Sequence, residues 1–285
     1  MINGKTKLVA FFAHPAGHSL SPVMHNTSYE SLGLNYRYLA FDIGCDEKSI
    51  SEAVTSMKRL GIAGANVSMP FKKTVIPLLD EIHESALVAD SVNTIVNRDG
   101  RLCGYSTDGD GFVDSLSDRG ISLTGKKVFL VGCGGAGRAI LITSSKAGAD
   151  VVVFNRPGKR YEEGKQIVEK LKQTCDSRVD IFSLDDTESF EEEIKTSDIV
   201  VNATNLGMGD YEDETWLKDT ELIRNVKLVY DCIYEPRETK LLKIAAKMGI
   251  PTLNGLSMLL FQGARAHELI TGVKMDIDAV RAVLK

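Results

Sequence analysis

The sequence predicts an α/β protein of two domains: an N-terminal α/β domain, then a doubly wound, Rossmann-like nucleotide-binding domain. Two observations carry that expectation. Strand-like apolar runs alternate with helical stretches through both halves of the 285-residue chain. Mid-chain, Val128-Phe129-Leu130-Val131 leads into Gly132-Cys133-Gly134-Gly135-Ala136-Gly137 and then into the helix-like Arg138-Ala139-Ile140-Leu141-Ile142. That spacing fits G-x-G-x-x-G, whose glycines permit a tight turn and bring a pyrophosphate against N–H groups at the positive end of a helix.

Residues 7–13 read as the first strand, followed by a helix over 22–32 with Pro22 in its first turn and Ser21 placed to cap it. A strand over 36–41, a helix over 47–60 and a strand over 63–67 continue a βαβ series. Residues 92–96 form another strand, which Asn97-Arg98-Asp99-Gly100 turns back into 102–105 as a hairpin. After the glycine turn come a strand at 151–154, an amphipathic helix over 162–171 and strands over 179–182, 199–202 and 228–231, with helices between. Helices over 238–248, 256–271 and 277–284 follow. The cofactor domain is expected to begin near residue 110.

The second strand of that domain ends in Asn155-Arg156, eighteen residues past Gly137, with Lys159 and Arg160 close behind. An NAD site usually has an acid there for the ribose 2′-hydroxyl; an arginine would instead hold a 2′-phosphate. NADP is therefore expected ahead of NAD.

Composition bounds the rest. The chain is 43% hydrophobic, enough to bury two ordinary cores. A formal charge of −5 and a pI near 5.6 give no electrostatic reason to expect nucleic acid or a membrane surface, so the partners expected are small molecules. Cys45, Cys103, Cys133, Cys175 and Cys232 are scattered and share no metal-ligand spacing, which suits reduced thiols and predicts neither a disulfide nor a metal site. Residues 8–13 are shorter than a signal-peptide core, and a cytoplasmic location is expected. The acidic stretch 185–193 reads as a solvated loop and helix face.

Three polar segments before residue 110 stand where substrate chemistry belongs. In the first, Ser19 and Ser21 could donate to a small carboxylate beside a helix N-terminus. In the second, Asn66, Ser68 and Lys72 can face one cleft, with Lys72 a candidate acid/base set against the plainer reading of a surface lysine beside Lys73. In the third, Asp108 precedes a helix, where capping and catalysis are equally served by an aspartate. His25 reads as a structural hydrogen-bonding residue, while His14, His83 and His267 have no partner spacing.

Taken in order, these segments resemble the shikimate dehydrogenase family, and within it the quinate/shikimate dehydrogenase branch. The resemblance rests on Ser19-Leu20-Ser21-Pro22 with His25-Asn26, Asn66-Val67-Ser68-Met69-Pro70-Phe71-Lys72, Ser91-Val92-Asn93-Thr94 and Thr107-Asp108-Gly109. It continues through the glycine turn, Asn155-Arg156, Asn202-Ala203-Thr204, Tyr234-Glu235-Pro236 and Gly255-Leu256-Ser257-Met258-Leu259 with Gln262. Ser106, Pro157 and Ile270 depart from the family pattern, where asparagine, threonine and tryptophan are usual.

The resemblance implies that Lys72 and Asp108 are the catalytic pair and that Ser19, Ser21, Asn66, Ser68, Asn93, Gln262 and Tyr234 hold the substrate's carboxylate and hydroxyls. It implies Gly132, Gly134, Gly135, Ala136, Gly137, Asn155, Arg156, Arg160, Thr204 and Gly255 as cofactor-binding residues. The domains implied are 1–109, completed by returning helices over 256–285, and 110–255. The activity implied is reversible NAD(P)-dependent hydride transfer between shikimate and 3-dehydroshikimate, or quinate and 3-dehydroquinate. A homodimer is left open. Two other readings stand beside it: another two-domain enzyme such as a methylenetetrahydrofolate dehydrogenase, and a non-catalytic sensor of quinate or shikimate.

Overall fold

The computed structural model describes residues 2–284. Contacts divide the chain into two units, one formed by Met1–Gly111 with Leu260–Lys285 and the other by Phe112–Leu259.

The first unit contains β1 (Lys7–Ala13), α1 (Ser21–Ser31), β2 (Tyr36–Asp42), α2 (Glu47–Arg59), β3 (Gly64–Val67), β4 (Glu81–Ile82), α3 (Glu84–Ala89), β5 (Thr94–Arg98) and β6 (Arg101–Tyr105). Its six-stranded sheet runs β2-β1-β3-β5-β6-β4. β1 lies parallel to β2 and β3, whereas β5 is antiparallel to β3 and β6. The hairpin forms because Asp99 and Gly100 both take positive φ, 54° and 92°, the geometry a two-residue turn needs to follow strand twist. α2 is capped by Asp46, whose carboxylate accepts from Ser49 N–H, and buries Ile50, Val54 and Met57 along one face. That face meets Phe12, Val67, Phe71 and Ile95 in the unit's core.

The second unit opens within α4 (Asp108–Ser117) and continues through β7 (Lys127–Val131), α5 (Gly135–Lys146), β8 (Asp150–Asn155), α6 (Lys159–Lys172), β9 (Val179–Ser183), α7 (Thr187–Lys195), β10 (Ile199–Asn202), β11 (Leu228–Asp231), α8 (Lys240–Lys247) and β12 (Thr252–Leu253). Its sheet is wholly parallel in the order β12-β11-β10-β7-β8-β9, the doubly wound arrangement with its switch point between β7 and β10. A parallel sheet covered on both faces needs apolar strands; Val128–Val131 and Val151–Phe154 are fully buried accordingly. Phe129 stacks on Phe154 and meets Phe190 edge-on in the core.

α9 (Leu256–Thr271) and α10 (Ile277–Val283) bring the chain back to the first unit. Asp276 caps α10 through Ala279 N–H, its own N–H donates to Ser28 Oγ of α1 at 3.0 Å, and its carboxylate accepts from Ser31. Ile270 packs against Val9, Tyr29 and Tyr38, and against Val96, Cys103 and Tyr105.

Several expectations shift. α1 starts at Ser21, so the cap position is Leu20 and no side chain caps the helix; Ser19 Oγ instead accepts from Ser21 N–H at 3.2 Å. β4, α3 and β12 have two, six and two residues, too few for a hydrophobic period to register. The acidic stretch is not wholly solvated, for Glu193 lies half-buried between Lys127 and Arg178, each 2.6 Å away. All five cysteines carry free thiols.

Candidate active site

Lys72 and Asp108 meet in the first unit. Phe71, almost fully buried, anchors the turn after β3, and Lys72 carbonyl accepts from Val92 N–H at 2.8 Å, so the lysine stem starts from a fixed backbone. Its Nζ lies 2.5 Å from Asp108 Oδ2, with the Asp108 side chain 8% exposed and that of Lys72 24%. Lys72 is therefore the open end of the pair. Lys73 is the surface lysine of the two and pairs with Asp90. Asp108 is the first residue of α4; its Oδ1 accepts from Asn93 Nδ2 at 2.7 Å.

Asn93 is the hub. Its Oδ1 accepts from Thr107 N–H, Thr107 hydroxyl and Thr94 hydroxyl at 2.9, 3.2 and 3.1 Å. Its Nδ2 also reaches Thr107 Oγ1 at 3.0 Å and Gln262 Oε1 on α9 at 3.3 Å. Asn66 is more constrained than its sequence context suggests. Both its amide protons are committed, to Asn93 carbonyl and Thr94 Oγ1, and its Oδ1 accepts from Tyr38 hydroxyl at 2.9 Å. What Asn66 has left is one acceptor lone pair, so it can receive a ligand hydroxyl but not donate to one. Burial raises the Tyr38 phenol well above its usual pKa, and Ser21 hydrogen-bonds it from α1.

His25 stacks on Tyr38 with ring centroids 4.3 Å apart, and its Nδ1 is buried without a partner. The expected hydrogen-bonding role gives way to stacking. Burial and the neighbouring His267 push its pKa down to about 3, so it is neutral. Three other histidines do have partners: His14 meets Asp42 at 2.7 Å, His83 caps α3 through Ser85 N–H, and His267 bonds Ser28 and Val273 carbonyl.

In the second unit the glycine turn has the shape of a phosphate cradle. Gly132 takes φ +105°, and a Cβ there would lie 2.7 Å from Ala203 carbonyl; a Cβ on Gly137 would collide with Gly132 carbonyl. The first turn of α5 thereby presents its N–H groups at the sheet's switch point. Asn155 shapes the turn from β8, accepting from Cys133 N–H at 3.0 Å and donating to Arg156 carbonyl at 2.8 Å. Arg156 and Arg160 are exposed and pair with no described residue. A Cβ on Gly134 would sit 3.9 Å from Arg160 Nη1, which puts that guanidinium beside the turn. These residues fit a dinucleotide carrying extra phosphate charge. Thr204 hydroxyl is turned inward to Asn202 Oδ1 at 2.7 Å, and Gly255 is required because any Cβ would strike Cys232 carbonyl. Tyr234 is half-buried in this unit, its phenol raised by burial and by Glu235.

Family profiles for the shikimate dehydrogenase substrate-binding domain and the shikimate 5′-dehydrogenase C-terminal domain match residues 11–95 and 255–285. A shikimate dehydrogenase (NADP(+)) of Streptococcus pyogenes serotype M49 is 43% identical over 99% of this chain and 98% of its own length. The chain belongs to the shikimate dehydrogenase family. The crystal structure of the Listeria monocytogenes shikimate 5-dehydrogenase in complex with shikimate and NAD superposes with a TM-score of 0.92 at 39% identity, covering 100% of this chain and 98% of that one. A shikimate dehydrogenase solved with NADP+ gives 0.88 at 36% identity, covering 100% and 96%.

Against that family background, Tyr38, Thr94 and Thr107 are members of the polar group that sequence reasoning did not single out. Thr94 and Thr107 were within reach, each adjoining a chosen residue, Asn93 and Asp108. Tyr38 sits on β2 with its partner 28 residues away, and only the pairing of β1 with both β2 and β3 brings them together. Among the described residues, no three His, Cys, Asp or Glu side chains gather as a metal-binding group, and no helix is long and apolar enough to cross a membrane.

Proposed function

We propose that this protein is an NAD(P)-dependent oxidoreductase that interconverts shikimate and 3-dehydroshikimate, with NADP the preferred nucleotide. The observation that carries this reading is the 2.5 Å Lys72–Asp108 pair, set among amide and hydroxyl groups suited to a polyhydroxylated acid. When bound, the nicotinamide supplies a hydride acceptor. The chain supplies the rest. As the carbinol C–H leaves as hydride, the hydroxyl proton passes to the Lys72–Asp108 pair, and the C–O bond becomes the ketone. Lys72, the more open member, contacts the reacting oxygen; Asp108, tied to Asn93, holds the ammonium in line and balances its charge. Ser19, Ser21, Ser68 and Gln262 bind the carboxylate and ring hydroxyls, and Asn66 accepts one hydroxyl through Oδ1.

Arg156 and Arg160 favour a 2′-phosphate, while Pro157 removes a backbone N–H that could have met it. Initial rates with shikimate and quinate, each crossed with NAD and NADP, test the whole reading. Shikimate with NADP is expected to be fastest, and if no pair yields reduced nucleotide the enzyme reading fails, leaving the sensor. Lys72→Ala should lower kcat by roughly 10²–10⁴-fold while NADP+ binding survives.

A further inference from the structure

Asn202 ends β10 and Asp231 ends β11, and the two are direct partners in the parallel ladder. Asp231 is fully buried, and no lysine or arginine is among its hydrogen-bond partners. Its Oδ1 accepts from Asn202 Nδ2 and from Ile233 N–H, both at 3.0 Å, and its Oδ2 from Thr239 hydroxyl at 2.7 Å. Asn202, also buried, gives its other amide proton to Leu206 carbonyl at 3.1 Å. Its Oδ1 accepts from Thr204 N–H, Thr204 hydroxyl and Trp216 Nε1 at 3.1, 2.7 and 3.2 Å.

One carboxylate thus holds two loops. It fixes 203–207 through Asn202, and 232–239 through Ile233 and Thr239, the residue that caps α8. The first loop abuts the glycine turn at Ala203 and Thr204, and the second passes so close to Gly255 that no side chain fits there. Both leave the carboxyl ends of strands beside the switch point, where open α/β sheets take their ligands.

We propose that Asp231 is a positioning residue for dinucleotide binding, which sets the loops after β10 and β11 through the Asn202 amide and acts as a hydrogen-bond acceptor, its charge being incidental. The inference rests on the nucleotide reading given above. Burial lifts the Asp231 carboxyl to about 6, the mark of a site that disfavours the charge while keeping the acceptor geometry.

The test compares the full chain with Asp231→Ala, Asp231→Asn and Asn202→Ala, reading NADP+ and shikimate Kd by calorimetry and the emission of Trp216, the sole tryptophan. Asp231→Ala and Asn202→Ala should each weaken NADP+ binding about tenfold, the cost of leaving buried donors or acceptors unpaired, with shikimate Kd unmoved. Asp231→Asn should stay close to the wild-type NADP+ Kd, because its carbonyl can keep Asn202 and Ile233 while its amide turns to Thr239. Trp216 emission should shift in Asp231→Ala and stay put in Asp231→Asn. A folded Asp231→Ala with wild-type NADP+ affinity would overturn the proposal, as would an Asp231→Asn that binds as weakly as Asp231→Ala. If Asp231→Ala does not fold, Asn202→Ala decides by the same comparison. A wild-type chain that bound no NADP+ would defeat the nucleotide reading itself; unchanged Trp216 emission in Asp231→Ala would defeat the network separately.

Discussion

At the scale of single residues, a buried histidine stacked on Tyr38 makes a prediction about acid stability. His25 is uncharged in the fold, its pKa pushed down to about 3, whereas an unfolded histidine takes its proton near 6.5. Between those values the folded chain binds fewer protons than the unfolded one, so this contribution is whole above pH 6.5 and lost as pH falls. At pH 5 the loss should be about 2 kcal/mol relative to pH 7. His25→Phe keeps an aromatic ring against Tyr38 and removes the titration, so urea unfolding should show a smaller drop in stability from pH 7 to pH 5 than in the wild type. Equal drops would mean that His25 has access to a proton in the fold.

How far residues were legible follows from the same region. Lys72, Asp108, Asn93 and Gln262 could be named from motifs, and they converge. What Asn66 has left to offer could not be read, since its partners Tyr38 and Thr94 each lie 28 residues away along the chain. Ser21 was misjudged for a local reason. A serine ahead of proline fits a cap, yet the backbone turned one residue earlier and Ser19 took the turn's hydrogen bond.

At the scale of elements, β3 and α9 touch where Gly64 faces Ile270. A Cβ at Gly64 would come within 2.6 Å of Ile270 Cγ1, so this strand start is glycine because a helix side chain fills the space. Gly64→Ala should destabilise the protein by about 1–3 kcal/mol through overpacking. Adding Ile270→Ala should recover part of that loss even though Ile270→Ala alone is destabilising, a coupling that a double-mutant cycle in urea would read. Strict additivity would show that the strand relaxes without the helix. The strands of the second unit were legible because buried parallel strands leave apolar runs such as 199–201 and 228–230, each closed by a polar residue. β4 and β12, two residues each, are strands only because a neighbour pairs with them.

At the scale of the whole molecule, net charge and local charge point in opposite directions. The chain carries −5 overall, yet Arg160 stands exposed beside the glycine turn and Arg156 is exposed just past the end of β8. Attraction for a polyanionic nucleotide then rests on local cations such as these, with Lys159 between them in sequence, and should be weakened by salt over a Debye length of about 8–10 Å. Replacing Arg156 and Arg160 with alanine should reduce the NADP over NAD preference about tenfold and flatten the salt dependence of NADP+ Kd, while shikimate Kd stays constant. Retained preference would assign the 2′-phosphate to other groups.

The interleaving of the two units in sequence has a consequence for biosynthesis. Residues 112–259 form one uninterrupted stretch, but the unit that carries Lys72 is finished only by residues 260–285, most of α9 and all of α10, which are made after that stretch. The parallel-sheet unit has all of its residues once position 259 is joined, whereas the earlier-made strands must wait, partly uncovered, for their last helices. Chains tethered to the ribosome through an added C-terminal linker, with residue 259 just outside the exit tunnel, should accordingly resist protease within 112–259 and be cut within 1–111. The segment translated first would be the last to mature.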